Sequence, residues 1–240
     1  MCELREVGLM NGVHELRVGV VTQAVLLAFA SITIGAEAQP QPAATNSTAK
    51  PGSEFDLQRP TIWQNGVGEG FLATVETISV EAGVAPGVAT FGSREAHDFA
   101  LLSLAYGHMW GHVKGQGHWY RGNFELRLEL FGGGQYSPTS DAVIGLAPHL
   151  RYNFATGTRW IPFFDAGAGV TGTSIGPPDL SGTFEFNLQA TIGVRWFLRD
   201  DLALTGEVRY LHMSCAGIHS PNLGANSVPI MVGLTWFFGK

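Results

Sequence analysis

Three residues near the C-terminus carry side chains from which a serine hydrolase could be built. His212 and Ser214 are two positions apart, and Asn226 follows a turn rich in Gly, Pro and Asn. A histidine that contacts a serine hydroxyl can take its proton, so that the oxygen attacks an ester carbonyl. Because residues i and i+2 of a β-strand point to the same side, a strand here would place His212 beside Ser214.

The sequence around the pair alternates as a strand does. In residues 202–214, Glu207 and Arg209 share one parity, whereas His212 and Ser214 continue the other, mainly apolar parity. Asn226 similarly begins the apolar parity of residues 226–238, which follow after a hairpin loop. The hairpin would bring Asn226 next to His212. Polar groups at a membrane interface can also be simply solvated, so the spacing alone leaves a non-catalytic interpretation open.

Similar alternation recurs through the chain from about residue 70. The clearest example is residues 184–198, in which apolar residues alternate with polar ones such as Glu185 and Arg195. This run is long enough to cross a bilayer as a tilted strand. The eight predicted strands are 71–83, 97–111, 124–130, 141–154, 159–173, 184–198, 201–215 and 226–238.

An all-β fold follows, and we predict an eight-stranded antiparallel transmembrane β-barrel of the outer membrane. Short connections at 155–158 and 199–201 alternate with longer loops, as in such barrels, although the connection at 112–122 is long for the short-turn side. The longer predicted loops are 84–96, 132–140, 174–183 and 216–225. We expect an interior ion-pair network formed by Glu125, Arg127, Glu185, Glu207 and Arg209.

A soluble eight-stranded barrel of the lipocalin kind is the alternative fold. It would keep its apolar parity inside, whereas a membrane barrel turns that parity outward. Parity alone does not say which face lies outside. Aromatic residues near strand ends, such as Trp196 and Trp236, are typical of the interfacial girdles of a membrane barrel and favour that fold.

The N-terminus predicts export. Arg17 precedes an apolar stretch over residues 18–35, and small residues Ala36 and Ala38 then form a signal-peptidase pattern. An uncleaved membrane anchor is the alternative. We therefore predict a signal peptide over 1–38, a flexible Pro/Ser/Thr-rich lead-in over 39–69 and the barrel domain over 70–240, with the outer membrane of a Gram-negative-type bacterium as the location.

Composition narrows the possible partners. The net charge is −6 and there is no Lys/Arg run, which argues against nucleic acid as a partner. Removal of Cys2 with the signal peptide leaves Cys215 without a disulfide partner. His108, His112 and His118 suggest a metal site at first sight, but residues four apart on a strand lie too far apart to share one metal ion. No metal or other cofactor is predicted.

The stretch HMSCAGIHSPNLGAN, residues 212–226, resembles the signature of the lipid A 3-O-deacylase (PagL) or acyloxyacyl hydrolase family. That resemblance implies an eight-stranded outer-membrane barrel with a Ser-His-Glu set on its outer surface. The reaction implied is removal of the ester-linked acyl chain at the 3 position of lipid A in lipopolysaccharide. Ser214 is then the nucleophile and His212 the general base.

Two positions depart from that family's pattern. Its acidic residue corresponds to Asn226, which can fix the imidazole tautomer but carries no charge to stabilise an imidazolium. Its asparagine after the serine is Cys215 here, a weaker donor, so the backbone around Cys215 and Gly217 becomes the candidate oxyanion site. A non-catalytic barrel with a structural or binding role is the alternative function, and Cys215 as nucleophile is a weaker one.

The export signal yields the first prediction. We expect the mature protein to begin near Gln39 and to fractionate with the outer membrane, because the small-residue cleavage pattern ends at Ala38. N-terminal sequencing of the protein extracted from outer membranes measures the start. Recovery of the overexpressed protein as a soluble periplasmic monomer would contradict the membrane-barrel fold.

Overall fold

The structure, a computed structural model, describes residues 61–239; the predicted signal peptide and most of the predicted lead-in lie outside this range. Nine β-strands and no helix occur in the described part, and it has no helix long and apolar enough to cross a membrane. The strands are β1 Glu76–Ala85, β2 Asp98–Lys114, β3 Gly122–Ser137, β4 Ala142–Phe154, β5 Trp160–Thr173, β6 Phe184–Arg199, β7 Leu202–Ser214, β8 Gly224–Ser227 and β9 Ile230–Phe238.

The strands close into a ring. Each strand from β1 to β7 pairs antiparallel with the next one in the chain, β7 pairs with β9, and β9 pairs with β1. The ring leaves no free sheet edge along its length, so the backbone polar groups of each strand find partners on both sides. This closed antiparallel barrel confirms the predicted fold.

Strands β8 and β9 are two parts of one barrel strand. Against β7, the pairs His212–Asn226 and Val208–Ile230 belong to the same register. The break between the two parts falls at Pro229, which has no N–H to donate to the ladder. The barrel therefore has eight strands around its circumference, as predicted. The eighth consists of β8 and β9 together and begins at Gly224, two residues before its predicted start.

The two faces of the barrel are those of a membrane protein. Outward side chains such as Leu102, Leu128 and Leu188 are about half exposed, whereas inward side chains such as Glu125 and Arg195 are fully buried. A soluble barrel would need the reverse arrangement. The outward apolar face instead matches a barrel that meets lipid, which excludes the lipocalin-like alternative.

A charged network fills the middle of the barrel interior. Arg209 lies 2.7 Å from Glu129 and 2.5 Å from Glu207, and Arg151 lies 2.6 Å from Asp165 and 3.0 Å from Glu207. Further ion pairs join Arg195 with Glu125, Arg127 with Asp165 and Glu81, and His149 with Glu129 and Asp165. Because each charge of this network faces an opposite charge, its burial inside the barrel is tolerated.

Two apolar clusters lie on either side of this network. One fills the end near the β7–β8 hairpin and contains Ala85, Phe99, Leu101, Phe131, Val143, Ile175, Leu180, Leu211, Met213, Ala225 and Met231. The other fills the opposite end and contains Ile62, Trp63, Phe71, Val75, Met109, Ile161, Phe197, Ala203 and Phe237. The interior is thus a packed core with no channel for a substrate.

Three details differ from the sequence-based expectations. Glu185 is buried inside the barrel, but it accepts a hydrogen bond from the Gly182 N–H and forms no ion pair with any residue in the range 61–239. Most of the predicted loop 132–140 belongs to β3, because its glycines let neighbouring strands approach closely. Residues 61–69, assigned by sequence to the flexible lead-in, include the buried Ile62 and Trp63 of the second apolar cluster.

The interior network predicts which arginines the fold needs. Arg209→Leu should lower the free energy of unfolding by about 3–5 kcal/mol, because it leaves Glu129 and Glu207 buried without their main partner. Arg159→Leu is the matched control, since its ion pair with Asp200 is exposed. Urea unfolding in detergent micelles, followed by tryptophan fluorescence, measures both variants. Equal losses in the two would contradict the role assigned to the network.

Candidate active site

The site lies on the outside of the barrel, at the end of β7. Met213 and Leu211 point into the core, whereas His212 and Ser214 point outward, opposite Leu188 and Phe186 of β6. His212 is half-buried and Ser214 is 8% exposed. The structure therefore places the pair on the face that the alternation predicted.

Hydrogen bonds connect the three predicted residues in one line. His212 Nε2 is 3.0 Å from Ser214 Oγ, and His212 Nδ1 is 2.7 Å from Asn226 Oδ1. Because a carbonyl oxygen only accepts, Nδ1 must carry the ring proton of the neutral imidazole. Nε2 is then the free acceptor for the serine proton, which is the tautomer that general-base chemistry requires.

Asn226 is itself held on both sides. Its Oδ1 also accepts the Tyr210 hydroxyl at 2.6 Å, and its Nδ2 donates to the backbone carbonyl of Thr90. The side chain is 1% exposed although it lies on the outer face of the barrel. Oδ1 accepts two hydrogen bonds and Nδ2 donates one to a carbonyl, so these contacts specify one orientation of the amide.

The β1–β2 loop, residues 86–97, covers Asn226. Its first residues extend the ladder of β1 along β8: Gly87 bridges Ser227, and the Val88 N–H donates to the Asn226 carbonyl at 2.8 Å. The carbonyl of Pro86 accepts the Val228 N–H at 2.8 Å. This loop therefore forms the outer wall of the site and brings Thr90 to Asn226.

Gly224 provides room for the imidazole. It pairs with Ser214 across the β7–β8 hairpin, and a Cβ built on it would lie 3.0 Å from Cε1 of His212 and 3.1 Å from the Met213 carbonyl oxygen. A glycine at this position lets the ring lean from Asn226 across to Ser214 without displacement.

The turn after Ser214 contains the oxyanion candidates. The Cys215 thiol and the Gly217 N–H both lie within hydrogen-bond distance of Asn222 Oδ1, at 3.1 and 3.2 Å. The pKa of Cys215 is lowered from its usual value, chiefly by a hydrogen bond with the Ser181 hydroxyl. The thiol hydrogen bonds involve Ser181, Asn222 and His219 and not the imidazole that a cysteine nucleophile would need as its base.

A cleft opens beside the serine. It has a volume of about 330 Å³ and lies between the β5–β6 and β7–β8 loops. Its lining residues are Gly182, Thr183, Phe184, Phe186, Cys215, Ile218 and His219. Because aromatic and aliphatic groups form its floor and no Lys or Arg lines it, the cleft suits an uncharged, largely apolar group.

Residues outside the predicted set complete the site. Tyr210 shares the parity of His212, which was visible in the sequence, whereas Thr90 and Gly224 gave no such signal. Thr90 contributes a backbone carbonyl, which any residue carries, together with a side-chain hydrogen bond to Tyr210, and Gly224 contributes space. Among residues 61–239, no group of three His, Cys, Asp or Glu side chains is arranged to hold a metal ion.

Comparison with known proteins identifies a matching family and a matching fold. The profile of the family "Lipid A 3-O-deacylase (PagL)" matches residues 99–235, more than half of the chain. Neisserial surface protein A (NspA) superposes with a TM-score of 0.51 at 15% identity over 68% of this chain and 97% of its own. Its likeness supports the fold of an outer-membrane barrel.

Two further solved structures are similar at lower scores. The outer membrane enzyme PagL has a TM-score of 0.46 at 19% identity, covering 66% of this chain and 97% of its own. The outer membrane protein OprG from Pseudomonas aeruginosa has a TM-score of 0.42 at 13% identity, covering 73% of this chain and 100% of its own. A search of curated protein sequences finds no match.

The close approach of Gly224 to the imidazole yields a prediction. Gly224→Ala should slow labelling of Ser214 by a fluorophosphonate roughly three- to tenfold, because the new methyl displaces the His212 ring by a few tenths of an ångström. Gly206→Ala on the outer face of β7 is the control, since a Cβ there meets nothing within 4 Å. Mass spectrometry of the labelled protein gives the rates. A Gly224→Ala rate equal to the control would contradict this role.

Proposed function

The chain belongs to the lipid A 3-O-deacylase (PagL) family, and on that premise we propose that it is an outer-membrane serine esterase that removes the acyl chain ester-linked at the 3 position of lipid A. The observation that carries the proposal is the bond between His212 Nε2 and Ser214 Oγ on the outward face of the barrel. A nucleophile in this place meets lipid molecules directly, so its substrate is a component of the surrounding membrane.

The reaction follows from the tautomer of His212. As Ser214 Oγ attacks the ester carbonyl, its proton passes to Nε2, and a tetrahedral oxyanion forms. When the intermediate collapses, Nε2–H protonates the departing sugar oxygen and an acyl-serine is left. Water, deprotonated by the same nitrogen, then hydrolyses the acyl-serine and releases the fatty acid.

Asn226 acts on this reaction by orientation. Its Oδ1 accepts the Nδ1–H of His212, with the two heavy atoms 2.7 Å apart, and this keeps Nε2 available as the base. A neutral amide does not offset the charge of the imidazolium as a carboxylate does, so its contribution is to the tautomer and the orientation of the ring. The neutral amide is also less costly to bury next to lipid than an ion.

The turn after Ser214 supplies the oxyanion donor in this proposal. Cys215 and Gly217 hold Asn222 Oδ1 in place. The Gly217 N–H, one of the two predicted candidates, donates to Asn222, and we assign the oxyanion donor to the Nδ2 group that this bond orients. A preorganised amide donor beside the nucleophile is the usual way in which acyl-transfer sites stabilise the developing charge.

The surroundings of the serine fit an acylated lipid. The cleft floor formed by Phe184 and Phe186 adjoins Ser214, because Phe186 is its direct partner on β6. The site lies at the barrel end opposite the described N-terminal segment and Phe238. With the N-terminus on the periplasmic side, this end is at the outer leaflet, where the ester linkages of lipid A lie.

A non-catalytic barrel is the second candidate. It is favoured by the two departures at Asn226 and Cys215, which remove a negative charge and a strong donor from the family's set. In that case His212 and Ser214 would remain hydrogen-bonded, but the protein would not hydrolyse lipid A. Lipid A from cells that express the wild-type protein decides between the two, because only the esterase lowers its mass.

Two substitutions test the esterase. Ser214→Ala and His212→Ala should each abolish the loss of one acyl chain from lipid A, because they remove the nucleophile and the base, while the barrel stays folded. Mass spectrometry of lipid A from expressing cells gives the readout, and heat-modifiable gel mobility reports folding. Ser220→Ala, in the exposed β7–β8 loop, is the control. An unchanged lipid A mass with the wild-type protein would refute the proposal.

A further inference from the structure

We propose that the carbonyl of Thr90 selects an amide at position 226, which makes the β1–β2 loop and Tyr210 positioning elements of the active site. The inference rests on the proposed esterase and deepens it, since it names what sets the protonation pattern of the base. The residues that carry it are Asn226, the three groups bonded to its amide, and the loop segment that presents Thr90.

The two ends of the Asn226 side chain meet opposite demands. Toward His212, residue 226 must offer an acceptor, because Nδ1 has to keep its proton for Nε2 to act as base. Toward Thr90 it must offer a donor, because a backbone carbonyl only accepts. A primary amide meets both demands at once, whereas a carboxylate has only acceptors.

The Thr90 carbonyl also opposes a rotation of the Asn226 amide that would disable the base. Rotation of the Asn226 amide by half a turn would point its NH₂ at Nδ1, which would force the proton onto Nε2 and disable the base. The same rotation would bring Oδ1 against the Thr90 carbonyl and leave two acceptors facing each other without a proton. The loop therefore opposes the inactive orientation.

Tyr210 opposes the same rotation from the other side. Its hydroxyl donates to Oδ1 at 2.6 Å, so that Oδ1 accepts two hydrogen bonds in the active orientation. Tyr210 and His212 are the titratable groups that face residue 226 from β7. The stretch of the loop that covers it, residues 87–92, contains no titratable side chain.

Thr90 is held firmly enough to act in this way. Its carbonyl also accepts the Ser93 N–H at 3.0 Å, and its own N–H donates to the Val88 carbonyl at 2.9 Å. The Val88 N–H in turn donates to the Asn226 backbone carbonyl at 2.8 Å. The loop and β8 thus form one hydrogen-bonded unit that positions the Thr90 carbonyl relative to the Asn226 side chain.

The inference differs from what the charge of residue 226 alone would predict. Chemistry alone suggests that an acid at position 226 should preserve or raise activity, because it would stabilise the imidazolium. Next to the Thr90 carbonyl, an isosteric aspartate places one carboxylate oxygen against another acceptor. Asn226→Asp should therefore slow fluorophosphonate labelling of Ser214 on the order of tenfold at pH 8, where the acid is ionised.

A double-mutant cycle separates this mechanism from general damage. Replacing residues 89–91 by a single glycine removes the Thr90 carbonyl from the site. In that background Asn226→Asp should label as fast as the shortened protein with Asn226, or faster, because the carboxylate no longer opposes a carbonyl. An equal slowing by Asp in both loops, or faster labelling by Asp in the full loop, would overturn the inference.

A second measurement needs neither folding of the shortened loop nor esterase chemistry. ¹⁵N NMR of histidine-labelled protein in micelles, assigned with His212→Ala, should find neutral His212 with its proton on Nδ1. Tyr210→Phe should lower the labelling rate severalfold with the barrel intact, and Tyr136→Phe, exposed at the same end, should not. A proton on Nε2 in the wild-type protein would overturn the inference. Absence of Ser214 labelling in the wild-type protein, with the Nδ1 proton present, would refute the esterase alone.

Discussion

The narrowness of an eight-stranded barrel is the constraint from which the rest of this structure follows. Side chains of eight strands fill the interior completely, here with a charged middle layer and an apolar cluster at each end. No substrate can enter such a core. The proposed chemistry therefore takes place on the outer wall, at a point where a strand leaves the apolar band.

An outer-wall site has an unusual problem, since its polar groups face lipid and not a protein pocket. Hydrogen bonds satisfy these polar groups, and a loop covers part of the site. His212, Ser214 and Asn226 satisfy one another in a line, and the β1–β2 loop closes over the last of them. A neutral line of this kind avoids the cost of an uncompensated ion at the edge of the bilayer.

Both residues that depart from the family's pattern, Asn226 and Cys215, have hydrogen-bond partners in this site. Asn226 has a donor side and an acceptor side, and each faces a group of the complementary kind. Cys215 makes a hydrogen bond to Asn222 Oδ1, so that position still contributes to holding the turn after the nucleophile. Both replacements form hydrogen bonds within the site, so both are compatible with the proposed esterase.

The sequence by itself determined the eight alternating strands and the parity that His212 and Ser214 share with the apolar residues. These follow from the strict period of two along each strand, which is a local property of the chain. It also identified Asn226, because a hairpin brings residues close in sequence together. The inside of the barrel was predictable for most of its charges, but Glu185 bonds to backbone and not to an arginine, since pairing across the barrel depends on height and on side-chain length.

Only the tertiary structure decided which face met the lipid and what holds the third residue of the site. Thr90 lies 136 positions before Asn226, and it takes part through a carbonyl that every residue has. Gly224 takes part through the absence of a side chain. Neither leaves a pattern in a sequence, because closure of the barrel, which pairs β1 with β9 and Gly87 with Ser227 of β8, is what brings the loop after β1 to the site on β7 and β8.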